Sequence, residues 1–329
     1  MSESVLIHGL EKRRDLNFLK GSLLSVEGRE GRLGVSIDEH AVREQVFVKS
    51  ENLSHLPHNP MQILRASPET FARVIELAPP YSTVSLQPGR YEVNLIIHTP
   101  ITLRGGAADP EDVVFCTQNT NIPCIVTQTP GRVSLENLKV ISTESHANAS
   151  YVQGRINGTV TVLGGGVEIR NCVICFNRHP DSGSPGPYAT PAVHVQHDAH
   201  SDDPCSVKAM GKVLLQDCKL KGGLLAFRAD VWGERVEVTG AAEHAVRGPA
   251  GGSIELVYSD VFGNERGGVV CENGKVRLTN CRFSQNGVGV LLSEMGEGAT
   301  DLKVVDCRIT SHRHLGIGLL DTHKSATLA

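Results

Sequence analysis

The chain has 329 residues, a formal net charge of −4, 34 glycines and only 4% aromatic residues. That length suits one elongated domain with a small companion, and the slightly acidic balance excludes the dense basic face of a nucleic-acid binder. No stretch approaches the roughly 18 consecutive apolar residues of a membrane span, and the opening Met1-Ser-Glu-Ser-Val-Leu-Ile-His8 lacks the apolar core of a secretory signal.

In chain order, residues 1–56 read as a separate small unit. Val5-Leu-Ile-His-Gly-Leu10, Leu16-Asn17, Gly21, Gly31-Arg32, Val35, Val46-Phe-Val-Lys49 and Asn52-Leu53 alternate short strands with glycine turns, and Glu27 to Arg32 make a charged hairpin tip. The pattern predicts a small antiparallel β-barrel. It resembles a compact SH3-like segment of algal and protist proteins, and that resemblance implies a peptide-binding or domain-packing role. Residues 57–66, with His55-Leu-Pro-His-Asn-Pro60 across the junction, read as a linker.

The third unit spans residues 67–329. Ser67-Pro-Glu-Thr-Phe-Ala-Arg-Val-Ile-Glu-Leu77 predicts a helix with Ser67 as N-cap and Pro68 at its first position. Its apolar Phe71, Val74, Ile75 and Leu77 suit it to cover the open end of a stacked sheet, which otherwise presents unpaired strand edges.

Beyond the helix one phrase recurs. It reads Val133-Ser-Leu-Glu-Asn-Leu138, Val167-Glu-Ile-Arg-Asn-Cys172, Val213-Leu-Leu-Gln-Asp-Cys218, Ile254-Glu-Leu-Val-Tyr-Ser259, Val276-Arg-Leu-Thr-Asn-Cys281 and Leu302-Lys-Val-Val-Asp-Cys307, with a weaker copy at Val236-Glu-Val238. Alternation of period 2 ending at a fixed residue type means a strand that stops at a corner. The last three copies start 22 and 26 residues apart, at 254, 276 and 302. A second apolar run precedes most copies, and a third short strand (Arg282-Phe283-Ser284) follows the corner. The connections are too short for crossover helices, so the coils stack as parallel strands about 4.8 Å apart. Positions 138, 172, 218, 259, 281 and 307 are expected to line one interior column. Asn177, Asn264 and Asn286, five residues after it, mark a second corner. This predicts an all-β solenoid.

These repeats resemble right-handed parallel β-helices of the pectin-lyase-like type. The segment Val84-Ser-Leu-Gln-Pro-Gly-Arg-Tyr91, Leu95-Ile-Ile97 and Pro100-Ile-Thr-Leu-Arg-Gly105 is similar to the first coil of sugar-active β-helices and of the β-helix modules in F-box and Shc-binding proteins. Those families place Glu two residues after the Tyr, where this chain has Val93 beside Glu92. The resemblance covers residues 65 to 320 and implies a fold rather than a chemistry.

The main irregularity is the distance of 46 residues between the phrases at 167 and 213. The excess, residues 178–188 and 197–205, together with a smaller insertion at 142–155, is expected to wall one side of a groove. From this region come the candidate binding residues Tyr188, His194, His197 and Asp198, joined by the lone Trp232, which is either a surface anchor or a half-buried corner residue. His197, His200 and Asp202 are the metal candidates by donor type, but their spacing matches no known ligand set, and no cofactor is assigned. His194 alternates with Val193 and Val195, the pattern of a strand residue.

Catalytic candidates are His194, Arg228 and Asp230. His244, Arg247 and Arg266 near coil edges also qualify for removing a proton alpha to a carboxylate, the step a polysaccharide lyase needs. The paired-carboxylate motifs of polygalacturonase-like enzymes are reduced here to Asp202-Asp203, and the Gly-Arg-Pro-Trp of pectinesterase-like enzymes is absent. Nine cysteines, several at rung spacing, read as reduced ladder thiols of a cytoplasmic protein. The leading expectation is therefore an intracellular protein-interaction or structural-subunit module with a protein partner. The alternative is a carbohydrate-active enzyme (lyase, epimerase or hydrolase) or a glycan-binding module.

Overall fold

The computed structural model describes residues 4–7, 20–27, 32–39, 42–55, 63–117, 123–129, 131–143, 158–163, 165–177, 192–196, 211–227, 229–248, 252–272, 274–293, 301–320 and 326–328. From residue 63 onward it is a parallel β-helix. Three sheets run its length, of 11, 9 and 9 strands among the described residues, here called sheets 1, 2 and 3. Each coil contributes one strand to each sheet in turn. The coil of residues 252–272, for example, gives Gly252–Val257, Asp260–Phe262 and Gly267–Glu272.

Alternation and corner chemistry together dictate this. In sheet 1, Val133, Val167 and Val213 stack in register and point inward, while Ser134, Glu168 and Leu214 point outward. Between sheets 1 and 2, from the coil of Arg132–Glu136 onward, one residue per coil takes the left-handed conformation: Asn137, Asn171, Asp217, Arg235, Tyr258, Asn280 and Asp306, with φ between 47° and 56°. Asn and Asp tolerate that region, and the bend they create turns the next side chain inward. The side chains that follow, Leu138, Cys172, Cys218, Ser259 and Cys281, are buried as the predicted column requires, and only Cys307 in the last such coil is partly open.

The second corner, between sheets 2 and 3, is held by a buried amide ladder. Asn264 Oδ1 accepts from the Ala241 N–H at 3.0 Å, and Asn264 Nδ2 donates to Asn286 Oδ1 at 2.8 Å. Asn177 does not join this ladder. It is the exposed last residue of Val173–Asn177.

Three further details differ from the sequence reading. Ile63–Ala66, inside the expected linker, is the first strand of sheet 1 and pairs with Thr83–Leu86. The helix is Phe71–Leu77 with Thr70 as N-cap, because Ser67 spends its hydroxyl on Glu69 at 2.6 Å and the Ser67 N–H on Thr70 Oγ1 at 2.9 Å. The phrase of the coil after residue 213 begins at Val231, in register with Val213, so Val236 is the inward residue after the corner, where Arg235 stands in for Asn or Asp.

The helix sets Phe71 edge-on against Tyr91 and Phe115, each with ring centres 5.3 Å away, and those two rings stack at 5.0 Å. The Tyr91 hydroxyl donates to the Gln87 carbonyl at 2.8 Å, so the buried ring keeps its polar end satisfied. The N-terminal unit is a five-stranded antiparallel sheet over its own core of Val5, Ile7, Val35, Ile37 and Val48.

Candidate functional site

The long insertions bracket strands of one sheet. Val160–Leu163 and Val193–Gln196 both belong to sheet 3. The outward column of this sheet runs Ile96, Val126, Thr161, His194, Leu225, Arg247, Val270, Leu291. Outward residues of a solenoid normally meet solvent, yet Val126, Thr161, Leu225 and Val270 are buried and His194 is 0% exposed. Sheet 2, by contrast, turns exposed Lys219, Arg282 and Arg308 outward.

Arg247 is the charged member of that column. His194 and Arg247 are two coils apart along it, with Leu225 between them, a rise of about 10 Å at the usual strand spacing.

Around Arg247 the corner and edge residues of two successive coils build an ionic cluster. Arg247 Nη2 and Nε reach Glu272 Oε1 at 2.9 and 3.2 Å, and Arg247 Nη1 lies 3.7 Å from Glu243 Oε2. Arg266 Nη1 lies 3.1 Å from Glu243 Oε1. The backbone holds these groups together, since the Arg266 and Gly267 N–H groups both donate to the Glu243 carbonyl, at 2.9 and 3.0 Å. Both carboxylates are largely withdrawn from solvent, whereas the Arg266 side chain is 55% exposed.

His244 sits beside Glu243 at the start of His244–Gly248, in register with Gly267. A side chain at 267 would displace the imidazole, because a Cβ there would stand 2.7 Å from His244 Nδ1. Nδ1 is buried, with no hydrogen-bond partner among the described residues. Burial, with Arg247 and Arg266 adding repulsion, pushes the imidazole down to about 4, so it is neutral at pH 7. Burial pushes the Glu243 carboxyl up, and the two arginines oppose that shift.

This arrangement has the parts for handling an acidic substrate. Arg266 presents planar donors suited to a carboxylate. His244 offers a neutral nitrogen, and Glu243 and Glu272 fix the two guanidinium planes.

Of the residues expected from sequence, His194, Arg247, His244 and Arg266 lie on or beside this face of sheet 3. Asp230 and Trp232 lie elsewhere, on the outward side of sheet 1. Asp230 Oδ1 accepts from the Ser253 N–H at 3.0 Å and from its hydroxyl at 2.6 Å, a strand-to-strand brace. Trp232 is half-buried, in register with Leu214 and Glu255. Tyr188, His197, Asp198, His200, Asp202 and Arg228 lie outside the described residues. No group of three or more His, Cys, Asp or Glu side chains placed to hold a metal occurs among the described residues.

Sequence reasoning passed over Glu243 and Glu272. Their signal was a charged residue just before one strand, His244–Gly248, and at the last position of another, Gly267–Glu272.

Among solved structures, the chain is similar to pectin methylesterase from Aspergillus niger in its penultimately deglycosylated form. The TM-score is 0.40 at 10% identity, covering 82% of this chain and 92% of that one. The deglycosylated form of the same enzyme gives 0.38 and 9%, with coverage of 83% and 93%. Alginate lyase from Paenibacillus sp. str. FPU-7 gives 0.34 and 10%, with coverage of 79% and 99%. No protein-family model matches the chain, and no curated protein matches it by sequence. No helix among the described residues is long and apolar enough to cross a membrane.

Proposed function

We propose that the protein is a carbohydrate-active β-helix that acts on a uronate-bearing glycan at the sheet 3 cluster, with eliminative cleavage as its reaction. The observation that carries this reading is a neutral, mostly buried His244 beside the guanidinium groups of Arg247 and Arg266. Elimination needs a base for the proton alpha to a carboxylate, and a cation to take up charge as that carbon loses its proton. Arg266, half in solvent, receives the substrate carboxylate. His244 takes the proton, the bond to the leaving glycosidic oxygen breaks, and a carbon–carbon double bond forms in the sugar ring. An arriving carboxylate also offsets the repulsion from the arginines and raises the basicity of His244.

The test is incubation of the purified chain with a panel of uronate polymers, following the near-ultraviolet absorbance of the unsaturated product. Turnover that is abolished in His244→Ala and lost in KM terms in Arg266→Ala supports the reading. Absence of turnover on every polymer, with intact folding, overturns it.

A second reading, recognition of a protein partner, is favoured by one feature. On a single coil, Tyr258 and Phe262 are 59% and 36% exposed, more than large aromatics usually are. Within that reading the N-terminal sheet is an SH3-like barrel and the chain works in the cytoplasm. Retention of a defined partner by the native chain, lost in Tyr258→Ser/Phe262→Ser, distinguishes it from the first.

A further inference from the structure

The corner column contains two pairs of cysteines on adjacent coils. Cys172 and Cys218 continue the register of Arg170 with Gln216, and Cys281 and Cys307 continue that of Thr279 with Val305. Adjacent strands lie about 4.8 Å apart, within the Cα separation that a disulfide spans. Both members of the first pair are buried, whereas Cys307 is partly open to solvent, alone among the described cysteines. The Cys281 N–H donates to Cys307 Sγ at 3.4 Å, a contact that favours negative charge on that sulfur.

From this geometry we propose that Cys307 and Cys281 form an oxidation site for hydroperoxides, with Cys307 the reacting thiolate and Cys281 the resolving thiol. The Cys307 sulfur attacks one peroxide oxygen. A sulfur–oxygen bond forms, the oxygen–oxygen bond breaks, and hydroxide or alkoxide leaves. Sulfur is oxidised by two electrons to the sulfenic acid as the peroxide is reduced. The Cys281 sulfur then attacks Cys307, the sulfur–oxygen bond breaks, and the departing hydroxide leaves as water with the Cys281 proton.

The titration behaviour agrees with this division of roles. The neighbouring Cys281 side chain, as the first cause, holds Cys307 below the ordinary thiol value, and Cys281 is raised in turn. The bridge ties the coil of Asp301–Val305 to the one before it.

The test uses the reduced full chain and hydrogen peroxide at pH 7, with disulfides mapped by mass spectrometry of non-reduced peptides. A Cys281–Cys307 link that dithiothreitol removes is expected, with Cys172 and Cys218 still reduced. In Cys281→Ser, a dimedone-reactive sulfenic acid accumulates on Cys307. A parallel measurement on the unmodified chain needs no variant to fold. Iodoacetamide is expected to label Cys307 at least about tenfold faster than Cys172, with a midpoint below that of an ordinary thiol. Equal labelling of the two, a first link at Cys172–Cys218, or a link from Cys307 to Cys205 would each overturn the proposal.

Discussion

At the residue scale the decisive position is His244. An unfolded imidazole takes up its proton near pH 6.5, whereas the folded one resists down to about 4. Below pH 6.5 the unfolded chain therefore binds more protons than the folded one. The contribution of His244 to stability is full at pH 7 and declines as the pH falls from 6.5 to 4. The difference is at most about 3 kcal/mol. His244→Gln is expected to lose less stability than the parent chain over that window, measured by urea unfolding at pH 7, 5.5 and 4. Equal slopes would mean that the imidazole is not held neutral. Gly267→Ala probes the same group from the side, because its Cβ meets His244 Nδ1 at 2.7 Å. That variant is expected to fold and yet to weaken binding at the cluster.

Asn264 makes a purely structural contrast. It satisfies the Ala241 N–H and donates to Asn286, the Val238 carbonyl and the Phe262 carbonyl. Asn264→Leu strands those groups in the interior and is expected to cost about 2–3 kcal/mol, read from the denaturation midpoint.

At the scale of elements, the corners explain what the sequence reveals and what it hides. The Asn and Asp copies were legible because those residues are the ones that accept the left-handed conformation. Tyr258 adopts the same conformation at φ 51°, as its place in the phrase Ile254 to Ser259 implied, whereas Arg235, at φ 52°, does so without announcing it. Arg235 is braced by Asp217, at 2.5 and 3.0 Å, which helps an unusual residue keep the bend. That is why the coil at Val231 was read one corner late.

The helix Phe71–Leu77 was legible from its apolar residues, while its start was displaced by the side-chain bonds of Ser67. Phe71→Ala removes the ring that meets Tyr91 and Phe115, and is expected to cost about 3–5 kcal/mol. Thermal unfolding checks this. A cost below about 1 kcal/mol would mean that the aromatic cluster does not hold the first coil.

At the scale of the molecule, the solenoid was legible from period and spacing alone, because strands of that spacing have no other way to pair all their backbone groups. The site was only partly legible. His244, Arg247 and Arg266 stood out as charges near coil edges, but a sequence cannot show that residues 243 and 266 face each other across adjacent coils. Nor does it show that Asp230 and Trp232 turn to a different side from His194, since that depends on which sheet each strand joins. The asymmetry between faces is itself the main functional signal, because sheet 3 withdraws Val126, Thr161, His194, Leu225 and Val270 of its outward column from water and places paired guanidinium and carboxylate groups there.

If that face receives an acidic glycan, association is electrostatic and weakens with salt. The most direct measurement is calorimetric titration of the full chain with a uronate oligosaccharide at two salt concentrations, beside Arg266→Ala and Arg308→Ala. Binding that falls with salt, drops at least about tenfold in Arg266→Ala and is unchanged in Arg308→Ala, on sheet 2, is the predicted result. Equal binding by all three proteins, or none by the parent chain, would contradict a carboxylate site at the sheet 3 cluster.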